Sequence, residues 1–189
     1  MRAMRFETEA PDSSDEAWAR DHGFSADRSL PDLTHLEALK RRLLGIGGWA
    51  VILIPDEPDV EALLERGSVD AGDGATIGNG LASECHHNAA VEFLRAPGRG
   101  IATGYALSRD GRWRQHSWSF NIATLDILET TERRVAYYGI RLDDADSLIF
   151  CTRNLPFVGE TEALLNARLE AVAPETKASF LERLGGVSQ

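Results

Sequence analysis

Near Pro97-Gly98 the chain changes its period. Before that point apolar residues recur at helical spacings, and glycines close the runs. From Gly100 onward they fall in short alternating runs rich in β-branched and aromatic side chains, separated by turn residues. Helices with one strand, then a block of antiparallel strands, then helices again is the order of an α+β domain. In a βαβ protein the two patterns would interleave.

The strand block is spelled out by a few stretches. GIATGYALS and RWRQHSWSF flank Asp110-Gly111 and read as a β-hairpin. TLDILETT is the next expected strand and RRVAYYGIRL another, with Tyr137 and Tyr138 pointing one in and one out. LIFCTR follows the polar DDADS as the last piece of this strand region. Ahead of the block, SLPDLTHLEALKRRLLGIGG predicts a helix to about Leu44. Asp32 or Thr34 is its cap, Leu33, Leu36, Leu43 and Leu44 are its anchors, and Gly45, Gly47 and Gly48 end it. WAVILIP suits a buried strand, and EPDVEALLERG a short helix closed by Gly67. LASECHHNAAVEFLRAPG predicts a helix with Ala82, Cys85, Ala89 and Phe93 on one face and Ser83 or Asn79 as its cap. The tail reads as two helical pieces split at Pro174. Residues 67–80, GSVDAGDGATIGNG, read as a surface loop, since they contain neither GK[ST] nor GxGxxG. Residues 1–30 are acidic and lack apolar periodicity, which predicts a flexible N-terminal arm ahead of a single domain over 31–189.

Charge narrows the partners. The formal net charge is −10 and the pI about 5.0, which argues against nucleic acid or an anionic membrane as a general partner. Of 20 basic residues only Lys40 and Lys177 are lysines. Arg109, Arg112, Arg114, Arg133, Arg134 and Arg141 gather in the strand region and read as a solvated surface balancing the 30 acids. No apolar run reaches the roughly 20 residues of a membrane helix, and the N-terminus has no apolar signal core. Two cysteines do not make a disulfide framework, so the expectation is a cytoplasmic protein with reduced thiols.

The chemistry concentrates in ECHHN at 84–88 and HSWSFNIATLDILETT at 116–131. A cysteine is a nucleophile as its thiolate, and a helix N-terminus or a nearby imidazolium lowers its pKa from about 8.5. Cys85 falls in the first turn of its helix, where unpaired N–H groups carry partial positive charge. Alternation puts His116 on one face of its strand with Arg114 and Trp118, and Trp118 can wall an imidazole from water. If the strands of His116 and Glu129 pair antiparallel, the two residues face each other, and the carboxylate fixes the imidazole's tautomer.

Cys on a helix, then H-x-W on a strand, then an acid in [DE]-x-T resembles the transglutaminase-like and wider papain-like thiol enzymes. The pieces are ECHHNA at 84–89, HSW at 116–118 and ETT at 129–131, spread over residues 80–140. The resemblance implies a Cys-bearing helix packed on an antiparallel sheet that carries the His and the acid, with flanking helices. It implies acyl transfer by amide hydrolysis, deamidation or transamidation, with Cys85 as nucleophile, His116 as base and Glu129 as orienting acid. Protein, peptide or small amide and acyl substrates would serve, and no cofactor. Asn79, six residues before Cys85, stands where papain-like proteases keep an oxyanion-hole glutamine. Asn88, Trp118 and His86 are the other oxyanion or substrate-binding candidates. The sequence departs from the pattern in having His86 rather than an aromatic after the cysteine, and Glu rather than the commoner Asp as the acid.

Two other classes compete. Cys85, His86, His87 and Glu84, with His116 as a further candidate, are metal-capable, which allows a metal-dependent hydrolase, although neither CxxC nor HExxH is present. A non-catalytic interaction module on the same fold is the other. Cys151, inside LIFCTR, reads as a small core hydrophobe.

Overall fold

The structure, a computed structural model, describes residues 33–54, 57–156 and 158–186. The expected arm and the Asp32 cap lie outside these residues. Among the described residues the order is α1 (Leu33–Ile46), β1 (Ala50–Ile52), α2 (Val60–Arg66), β2 (Ser68–Ala71), β3 (Thr76–Ile77), α3 (Cys85–Arg95), β4 (Arg99–Leu107), β5 (Arg112–Asn121), β6 (Ile127–Glu129), β7 (Ala136–Arg141), α4 (Asp144–Asn154), α5 (Glu160–Ala171) and α6 (Pro174–Gly186). The strands follow the hydrogen-bonded order β2-β7-β4-β5-β6-β3, and β1 joins β5. The pairs β2–β7 and β5–β6 are antiparallel, while the short β1–β5 and β3–β6 pairs are parallel. The fold is α+β, with no helix among the described residues long and apolar enough to cross a membrane.

Three expectations change. LIFCTR is not part of the strand region: it belongs to helix α4, whose first turn carries Asp144 and Asp146 and whose N-cap Asp143 accepts from the Asp146 N–H at 2.7 Å. A capping acid and two more acids beside the helix's positive end outweigh the strand propensity of a short apolar run. Residues 67–80 are not all loop, since they contain β2 and β3. These two strands pair through their backbones while their side chains stay exposed or half-buried, so no alternation marks them. Tyr137 and Tyr138 are both buried, because β7 is covered on both faces.

The chain divides into two compact units. The first is Met1–Gly74, Gly104–His116 and Arg133–Ile140. Its core holds Leu36, Leu39 and Leu43 of α1 and Leu63 of α2 with Tyr105, Leu107, Trp113, Tyr137 and Tyr138. The buried aromatics keep their polar ends satisfied. Trp113 Nε1 donates to the Gly47 carbonyl at 2.9 Å, and Tyr138 OH donates to the Leu63 carbonyl at 2.6 Å. Gly104, at φ +154, lets two backbones close up, since a Cβ there would sit 2.3 Å from the Tyr138 carbonyl oxygen. At the hairpin turn, Asp110 takes two hydrogen bonds from Arg114, at 3.0 and 2.6 Å. Burial works against ionisation of Asp110. The Arg114 fork, the Arg112 N–H and both guanidinium charges outweigh it and hold its carboxyl below the usual range.

The second unit is Ala75–Thr103, Ser117–Glu132 and Arg141–Gln189. Its core joins Ala89, Ala90, Phe93 and Leu94 of α3 to Leu148, Ile149 and Cys151 of α4, with Leu165 of α5 and Phe180 of α6. The tail is two helices, with Pro174 opening the second, where its missing N–H costs nothing.

Candidate active site

Cys85 is the first residue of α3 and is half-buried. The chain enters this helix through Ser83, at φ +64, and Glu84, whose side chain makes no capping hydrogen bond. Neither Ser83 nor Asn79 is the N-cap residue that the sequence suggested. What holds the entry is Asn88, one turn in and buried. Its Oδ1 accepts from the Leu81 N–H at 2.9 Å, and its Nδ2 donates to the Leu81 carbonyl at 2.8 Å. Gly80 makes this possible, because a Cβ there would lie 2.5 Å from Asn88 Nδ2 and 2.6 Å from the Thr130 carbonyl oxygen. With the Glu84 side chain not capping it, α3 presents the positive end of its dipole at Cys85.

His86 turns away around the helix. Its ring meets the Phe150 ring edge-on at 5.9 Å, and its Nδ1 lies 2.7 Å from Ser117 Oγ. Ser117 is hydrogen-bonded in turn to Thr103 Oγ1 at 3.0 Å.

His116 is 2% exposed on β5 and stacks on Tyr137 with ring centroids 6.2 Å apart. Glu129 is 0% exposed on β6. Its Oε1 accepts from both the N–H and the hydroxyl of Thr131 at 2.8 Å. The β5–β6 register, Ser119 to Leu128 and Phe120 to Ile127, continues to place Trp118 across from Glu129. The expectation that His116 stands directly opposite the acid therefore changes, since that register position belongs to Trp118. Cys85, His86, Asn88, Trp118 and Glu129 belong to the second unit and His116 to the first.

Asn79 is exposed and, with Asn88, lines a cleft of about 430 Å³ in the second unit. Its walls are the 79–81 loop, the stripe of α3 that carries His87, Val91 and Glu92, Thr130 after β6, and the start of α5. At its rim Arg95 and Glu160 pair at 2.7 Å. Neither Cys85 nor Glu129 lines it. No motif announces this cleft, because its lining comes from four separated segments.

A second feature without a sequence signal is Glu57, 7% exposed, whose Oε2 accepts from Tyr105 OH at 2.6 Å and from Gln115 Nε2 at 3.4 Å. Burial pushes its carboxyl above the ordinary range, against the lowering effect of those hydrogen bonds. The strand-region arginines are largely spent on the fold. Arg112 lies over the Trp49 ring, Arg141 over Phe120, and Arg134 donates to Ser108. Among the described residues no three His, Cys, Asp or Glu side chains gather as a metal-binding group. No protein-family model, curated protein or solved structure matches the chain.

Proposed function

We propose that this protein is a thiol-dependent acyl-transfer enzyme of the papain and transglutaminase-like type, in which Cys85 is the nucleophile, His116 the base and Glu129 the orienting acid. The thiolate attacks an amide or ester carbonyl. The tetrahedral intermediate collapses to a Cys85 thioester as the imidazolium of His116 gives its proton to the departing amine or alcohol. Water or an amine, deprotonated by His116, then attacks the thioester and releases the thiol. The backbone N–H of Cys85 is the candidate donor for the oxyanion. The observation that carries this reading is the position of Cys85, half-buried at the head of an 11-residue helix that the Glu84 side chain does not cap. The fully buried Glu129, with one oxygen fixed by Thr131, is support of a second kind: a carboxylate rarely enters a core without a charge to orient or a bond to make. Substrates are expected among protein side-chain amides, peptides and small acyl donors.

The test is the pH dependence of iodoacetamide alkylation, with the labelled residue identified by mass spectrometry, for wild type, His116→Ala and Glu129→Ala. The expected result is selective labelling of Cys85 at pH values below the ordinary thiol midpoint of about 8.5, with the profile moved toward that value by His116→Ala. Labelling of Cys85 at an ordinary thiol's rate, indifferent to both substitutions, overturns the reading and leaves a binding module.

A further inference from the structure

The cleft of the second unit is lined by neither Cys85 nor Glu129. We propose that it binds a primary alkylammonium group, as carried by a lysine side chain or a small free amine. An ammonium has three N–H donors and no acceptor. The cleft offers acceptors that the fold has left over. The half-buried Glu92 carboxylate makes no ion pair or hydrogen bond among the described residues. Thr130 is 4% exposed, and its hydroxyl likewise has no partner among them. The space that Thr130 lines is the cleft. Asn79 adds an amide oxygen at the mouth.

The rest of the lining suits an alkyl stem. Leu81, Val91 and Leu164 form an apolar wall, with Leu81 58% exposed at the entrance and so unused by the core. An anion is disfavoured. The rim cation, Arg95, is already held by Glu160, and an incoming carboxylate would meet two glutamates. A cation entering a half-enclosed cleft sheds water and needs a countercharge, which Glu92 supplies. A volume of about 430 Å³ lies within the ordinary range for small-ligand sites, roughly 300–1,000 Å³.

The experiment is a titration of the full-length, isotope-labelled chain by amide NMR with n-pentylammonium, and with pentanoate and pentanol as charge-reversed and neutral controls. The expected result is a saturable shift confined to the 79–81 loop, the Val91–Arg95 stretch and Thr130, absent with both controls. Glu92→Gln should weaken binding about tenfold, the loss of one charge-assisted hydrogen bond, and Thr130→Val by less. The Glu92 side chain makes no hydrogen bond or ion pair among the described residues, so its variant keeps the fold, and the wild-type map decides by itself whatever the variants do. Titrations with cadaverine and with an N-acetyl-lysine amide separate the sources. Tighter binding of the free diamine points to a small amine, and tighter binding of the lysine amide to a protein partner. No saturable shift, or shifts scattered over acidic residues as general cation condensation on a chain of net charge −10, overturns the proposal. The same titration on Cys85→Ala should be unchanged, so the cleft stands or falls independently of the thiol.

Discussion

Glu57 carries a carboxylate in a place that favours the acid form. It is buried beside Tyr105, whose phenol is itself pushed upward, first by burial and then by the Glu57 charge and hydrogen bond. A folded carboxyl with a raised pKa binds its proton more tightly than the unfolded chain does. The associated stability is therefore complete below the unfolded value, near 4.5, and is lost as pH rises through the folded one. Glu57→Gln, which imitates the protonated form, should remove that dependence. The difference in melting temperature between wild type and variant should favour wild type most near pH 4.5 and shrink or reverse toward neutrality. A difference that is flat with pH would show that Glu57 titrates as an ordinary surface acid. The sequence hides this residue completely: EPDVEALLERG is an ordinary helix start, and only the fold brings Tyr105 and Gln115 onto its carboxylate.

At the scale of elements, α3 shows what a single sequence can and cannot disclose. Its existence and the place of Cys85 in it were readable, because Ala89 and Phe93 repeat the helical period and both end fully buried. Its cap was not readable. Ser83 looks like a capping residue, yet the chain passes it at positive φ, and the work falls to Asn88, whose carboxamide mimics a backbone partner for Leu81. The hairpin and β7 were legible through alternation and the Asp110-Gly111 turn, whereas β2 and β3 were not, because pairing made by backbone alone leaves no side-chain pattern. Asn88→Ala should cost about 1–2 kcal/mol in urea unfolding, since it removes two hydrogen bonds whose Leu81 partners water can reach. Gly80→Ala should cost at least as much, because its Cβ meets the Thr130 carbonyl oxygen at 2.6 Å, and backbone, unlike a flexible side chain, must move to admit it. If both variants unfold at the wild-type urea midpoint, Asn88 does not fix the entry to α3.

Across the whole molecule the two cysteines should report on two different events, and the reason lies in the second unit's core. Cys151 is 0% exposed on α4, touches the Ala90 carbonyl of α3 at 3.7 Å, and its thiol is pushed up to about 12 by burial. It is inert in the native state and becomes reactive only when the helices around it open. Its rate of labelling therefore measures the stability of that core, while Cys85 reports on native chemistry. The core contains one uneasy member. Arg168 of α5 is 6% exposed, stacks its guanidinium 4.3 Å above the Phe93 ring, and reaches Asp144 only at 3.8 Å, with Nε left without a hydrogen-bond partner. Its aliphatic stem fills space, but its charge is poorly compensated apart from the ring beneath it. Removing the whole side chain and keeping only its bulk should thus have different consequences. Arg168→Ala opens a cavity over Phe93 and should destabilise by about 2 kcal/mol, raising the opening-limited labelling of Cys151 roughly thirtyfold. Arg168→Met keeps the stem's volume and discards a desolvated cation, so labelling should change by less than about fivefold in either direction. Both variants are read by timed alkylation and mass spectrometry under native conditions. Equal acceleration by Ala and Met would mean that the charge over Phe93, and not the packing of the stem, holds the helices of the second unit together.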